Sequence, residues 1–76
     1  MMDLADVTIH INETLTDVGL YGIENRLREL DGVVSVGGHE AGPHLMVVEF
    51  NPDKLSTKDI LLCVQNAGVH AELIGL

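Results

Sequence analysis

The sequence predicts an α+β fold: a four-stranded antiparallel sheet with two helices on one face. Three observations predict it. "VTIHIN" (7–12) and "VHAELI" (69–74) alternate apolar and polar residues with period two, as half-covered strands do. "VVSVGGH" (33–39) and "LMVVEF" (45–50) are β-rich runs separated by the turn sequence "EAGPH". Between these strands, Leu20, Ile23, Leu27 and Leu30 recur at helical spacing, and a second helical stretch follows Ser56. The order strand–helix–strand–strand–helix–strand in 76 residues is satisfied by two interleaved right-handed crossovers. This is the ferredoxin-like βαββαβ arrangement, with strand order 4-1-3-2. No linker or internal repeat divides the chain, so one domain over residues 1–76 is expected.

Each element has local reasons. In the first strand Val7, Ile9 and Ile11 face one way, with Thr8, His10 and Asn12 opposite. Thr16 is placed to cap the first helix, and Asp17 in its first turn suits the helix dipole. Gly19 and Gly22 each weaken that helix by about 1 kcal/mol relative to Ala. Gly32 follows where a C-terminal glycine stop belongs. In the third strand Met46, Val48 and Phe50 share the inward face, and strict alternation extends that phase back to His44. Ser56 caps the second helix, and Asp59 completes a capping box. Ile60, Leu61 and Val64 form its inward stripe, which leaves Leu62 over, and "NAG" ends it at Gly68.

Composition narrows the function. The chain is 46% hydrophobic, with Tyr21 and Phe50 its only aromatic residues, so the core is aliphatic. Twelve acidic residues against four basic give a net charge of -8. That excludes the Lys/Arg stripe of a nucleic-acid binder and disfavours anionic membrane surfaces, while permitting a basic protein partner or a cation. Cys63 is the only cysteine, so no internal disulfide forms. The start "MMDLADV" lacks the basic, apolar pattern of a secretory signal, and no run approaches a membrane span. A cytoplasmic location is expected.

Four stretches carry a resemblance: "VTIHIN", "IENRLRELDGVVSV", "VVEFNPDKLSTKDI" and "VQNAGVHAEL". Together, over roughly residues 6 to 74, they are similar to the heavy-metal-associated (HMA) domains of copper chaperones, mercury-binding proteins and metal-transporting ATPases. That family places Gly-Met-x-Cys-x-x-Cys directly after its first strand. Ungapped matching from Val7 to Ile23 puts Glu13 and Thr14 on the Gly-Met pair, and Thr16 and Gly19 on the two cysteines. A soft ion takes two thiolates; a hydroxyl is a poor ligand for it, and glycine offers none. The resemblance therefore implies the scaffold without the family's site.

Histidines are the candidates for another site. His39 and His44 flank the hairpin tip with Glu40 between them, a donor set suited to Zn(II), Cu(II) or Ni(II). By parity the two rings meet only if a bulge resets one strand; otherwise they are solvated loop residues. His10 and His70 form a second pair on neighbouring strands, with His10/Glu72 equally available in an antiparallel register. Glu13, Thr14, Thr16 and Asp17 are too few oxygens for Ca(II) and read as capping. Cys63 lies among apolar residues and reads as packing.

No catalytic constellation emerges, so an enzyme is not expected. On the sheet's outer face Leu45, Val47 and Ile74, joined by Leu62 on a helix and by Asp17 at the first helix's start, mark an interaction surface. Three functions follow. The first is an HMA-like protein-interaction or regulatory module of heavy-metal handling, meeting a protein partner or a second copy. The second is a metal-binding protein using histidines and carboxylates. The third is a small-ligand sensor acting at a dimer interface.

Overall fold

Six elements alternate as the sequence reading expects in this computed structural model, which describes residues 3–37 and 42–74. They are β1 (Ala5–Ile11), α1 (Asp17–Arg28), β2 (Val33–Gly37), β3 (Leu45–Phe50), α2 (Thr57–Gln65) and β4 (Ala71–Ile74). The strands form one sheet in the order β2-β3-β1-β4, all neighbours antiparallel. This is the predicted ferredoxin-like arrangement.

Period two fixes which side of each strand is covered. Val7, Ile9 and Ile11 of β1 and Met46, Val48 and Phe50 of β3 are buried against the helices. Val7 lies opposite Val48, and Ile9 opposite Met46, so the two central strands interlock on that face. Leu20, Ile23 and Leu27 of α1 and Ile60 and Val64 of α2 close the core from above. Glu24 is also buried, its aliphatic stem beside this stripe and its carboxylate 4.0 Å from Arg28 one turn on.

Both helix starts form as their side chains dictate. The Thr16 hydroxyl accepts from the Gly19 amide at 3.2 Å. Ser56 accepts from the Asp59 amide at 3.2 Å, and the Ser56 amide in turn donates to the Asp59 carboxylate at 3.0 Å. Those bonds hold the Asp59 carboxyl below its ordinary range. The helix ends differ from expectation. α1 stops at Arg28 with Glu29 as its C-cap, and Gly32 takes its positive φ of 110° in the turn into β2 instead. There the chain passes so close to the α2 approach that a Cβ on Gly32 would stand 2.9 Å from that of Lys54.

Three details correct the pattern expected from the sequence. Val33 pairs with Phe50 and Ser35 with Glu49, so a bulge at Val34 inserts one residue into β2. The bulge lets Val33 and Val36 both pack on the core while Val34 turns to solvent. Leu61 is half-buried and outside the core cluster; Cys63 and Ala67 pack there instead. Third, β3 begins at Leu45, so His44 does not share the inward phase of Met46. It occupies a turn closed by the Leu45 amide donating to the Gly42 carbonyl at 3.2 Å.

Candidate functional site

The loop between β1 and α1 is built around its cap. Thr16 is extended (φ -71°, ψ 166°), which turns its hydroxyl back over the first helical turn. A Cβ built on Gly19 would lie 3.5 Å from the Thr16 hydroxyl oxygen and 3.5 Å from the Leu15 Cβ. The two positions that the resemblance assigns to thiols thus face each other across one helical turn. Here they hold an alcohol and a hydrogen, and the arrangement caps a helix.

Glu13 takes no part in a cation cluster with Thr16 and Asp17. Its carboxylate reaches across to the approach of β4, accepting from the His70 amide at 2.8 Å and from the His70 ring Nδ1 at 2.9 Å. The His70 side-chain and backbone hydrogen bonds, in that order, hold the Glu13 carboxyl below its usual range. Asp17 is exposed at the helix start. Beside it Val18 is 83% exposed and Tyr21 61% exposed, two large side chains one turn apart on the open face of α1.

One histidine pairing that the sequence left open, His10/Glu72, forms, whereas the contact of His10 with His44 was not anticipated. In the register of β1 with β4, Glu72 lies opposite His10, so His10 takes the carboxylate and not His70. The His10 Nδ1 is 3.7 Å from a Glu72 carboxylate oxygen; it is buried and forms no hydrogen bond. His44, displaced from the strand by its turn, lays its ring beside His10, with centroids 5.9 Å apart and planes inclined by 26°. Its Nδ1 donates to the Ile11 carbonyl at 2.8 Å, while the Ile11 amide donates to the His44 carbonyl at 2.8 Å. The imidazole thereby stands in for a backbone donor at the end of the ladder. Antiparallel pairing of β1 with β3 was the available signal for this contact, but the turn that frees His44 has no parity signature. His39 and Glu40 lie outside the described residues. Among the described residues, no three His, Cys, Asp or Glu side chains converge on one point.

The remaining candidates separate. On the outer face Gly37, Val47, Thr8 and Ile74 form one cross-strand row, and Leu45, His10 and Glu72 the next. Ile74 is 37% exposed, whereas Leu45 and Val47 are half-covered, so the apolar element there is thin. Leu62 is exposed beside Cys63 in an open groove of about 490 Å³ between α1 and α2, whose rim carries Arg26, Glu29 and Asp59. Burial pushes the Cys63 thiol above its ordinary range. No helix among the described residues is long and apolar enough to cross a membrane.

Similarity to known proteins lies in structure alone. No protein-family profile and no curated protein sequence matches the chain. Solved structures do. A copper-binding domain from HMA7, a P-type ATPase, superposes with a TM-score of 0.83 at 18% identity, over 92% of this chain and 93% of that one. Oxidized MerP from Ralstonia metallidurans CH34 gives 0.80 at 18% identity, over 93% and 97%. The copper chaperone of Enterococcus hirae gives 0.79 at 19% identity, over 90% and 98%. The chain shares the fold of these HMA domains along nearly its whole length.

Proposed function

We propose that this chain is a heavy-metal-associated domain that has given up the soft-ion site at the start of α1 and serves as a non-catalytic interaction module in cytoplasmic heavy-metal handling. One observation carries the reading. The positions at 16 and 19 face each other across one helical turn, yet neither carries a donor for a soft ion. The shared fold supports the family, and the printed roles of its neighbours in copper binding and copper chaperoning support the process. Fold alone does not assign an activity, so the loop chemistry bears the weight.

What the loop offers instead is a docking surface. Val18 and Tyr21 project from the first turns of α1, and Asp17 adds charge beside them. Aromatic and aliphatic anchors in a charged rim suit protein contact, and the net charge of -8 selects a basic partner surface.

Titration with Cu(I) against a competing chelator tests the first half, and amide-shift mapping with a soluble domain of a copper-transporting ATPase tests the second. The expected results are no tight Cu(I) binding and shifts confined to Thr14–Gly22, weakened in Tyr21→Ala. Sub-micromolar Cu(I) held at Thr16–Leu20 without added thiol would refute the reading. Sedimentation of the chain alone reports whether a second copy occupies the same surface.

A further inference from the structure

We propose that His10 and His44 form a bis-imidazole site for a borderline divalent transition-metal ion, at the end of the sheet where β1 runs into the α1 loop and on the face opposite the helices. The site is separate from positions 16 and 19 and does not depend on the reading above.

Distance is the first argument. A metal–nitrogen bond of about 2.1 Å plus about 1.1 Å from nitrogen to ring centre places each ring centre about 3.2 Å from a bound ion. Two imidazoles sharing one ion therefore have centres at most about 6.4 Å apart. Those of His10 and His44 are 5.9 Å apart, inside that limit, corresponding to a nitrogen–metal–nitrogen angle of roughly 130° on the same bond lengths.

Proton placement is the second. The Ile11 carbonyl only accepts, so the His44 Nδ1 facing it at 2.8 Å carries the proton, and Nε2 is left with its lone pair. The His10 Nδ1 faces the Glu72 carboxylate, another acceptor, which favours the same tautomer. A ring nitrogen donating to a carbonyl or carboxylate while the other binds metal is the usual outer-shell pattern of ligating histidines. Both rings have the elements of it.

Third, His10 has an unfinished hydrogen bond. Its Nδ1 is buried without a partner, with Glu72 just out of range at 3.7 Å. His44 is pinned by Ile11, so His10 is the ring that turns. A metal on its Nε2 makes Nδ1–H a stronger donor and draws it onto Glu72, removing the orphan. Imidazole donors suit Cu(II), Ni(II) and Zn(II), with Cu(II) bound tightest, and water fills the remaining positions. The acidity of the whole chain adds attraction for any cation.

Calorimetric titration of the full chain with Cu(II) and Zn(II), with free glycine as competitor, tests the site. One equivalent is expected to bind, more tightly as Cu(II) than as Zn(II). Affinity should fall at least about 10-fold in His10→Gln and in His44→Gln, and roughly 10-fold in Glu72→Gln. It should be unchanged in His70→Gln and His39→Gln. His44→Gln also removes the bond to Ile11, so a second reading uses the unaltered chain. There, substoichiometric Cu(II) should broaden the ring protons of His10 and His44 before those of His70. Retained affinity in the His10 and His44 variants, broadening centred on His70 or His39, or no saturable binding would overturn the proposal.

Discussion

Thr16→Cys/Gly19→Cys should turn the α1 loop into a Cu(I) site without disturbing the fold. The structure sets the expectation. A Cβ at position 19 has only ordinary van der Waals neighbours, the nearest at 3.5 Å, so the new side chain enters without displacing backbone. Its direction is toward the Thr16 side chain, which places two sulfurs on the same side of one turn. Replacing the Thr16 cap costs about 1 kcal/mol. Replacing glycine by cysteine inside a helix returns about 0.3 kcal/mol. The apo variant should therefore melt no more than about 4–8 °C below the original chain, since 1 kcal/mol is worth that much in a domain of this size. Cu(I) free at 100 times its dissociation constant then adds about 2.7 kcal/mol, or roughly 10–20 °C. Melting under a phosphine reductant, with and without chelator-buffered Cu(I), measures both numbers. The original chain, which also carries Cys63, is the control and should not shift. A variant that folds but gains nothing from Cu(I) would show that the loop lacks a chelating geometry. The absence of thiols would then no longer explain the missing site.

Four further outcomes follow from the same structure. Gly22 lies inside α1 with nothing within 4 Å of a Cβ, so Gly22→Ala should raise stability by about 0.4–1 kcal/mol in chemical denaturation. Gly32→Ala should do the reverse, losing about 1–3 kcal/mol, because its φ of 110° and the Lys54 Cβ at 2.9 Å both resist a side chain. Leu27 is fully buried between helix and sheet, and Leu27→Ala should cost about 2–5 kcal/mol, leaving little folded protein near 37 °C. Carbon-detected titration should put the Glu13 midpoint below 4.5, and His70→Ala should move it part of the way back, the His70 amide bond remaining. Because that carboxyl is lowered on folding, its contribution to stability is present above 4.5 and disappears as pH falls through the folded midpoint.

Local chemistry is written in short stretches and could be read there. Thr16 and Ser56 cap helices because a hydroxyl after an extended residue meets free amides one turn on, whatever lies around it. The period-two runs at Val7–Ile11 and Met46–Phe50 name their buried faces because a pleated strand has only two sides. From those faces and the order of elements the strand order followed. The absence of thiolates at positions 16 and 19 was equally legible, being a matter of residue identity.

Register and turns belonged to the tertiary structure. One residue inserted at Val34 rephases β2 and sets both Val33 and Val36 against the core. His44 left the inward phase because the turn at Gly42–Leu45 holds it outside β3, which begins only at Leu45, and the Ile11 carbonyl, thirty-three positions away, captured its ring. Which acid each histidine met, Glu72 for His10 and Glu13 for His70, depended on the pairing of β1 with β4. A sequence carries side-chain chemistry and local periodicity. Contacts between residues far apart in the chain are chosen by whichever packing buries the whole core at once.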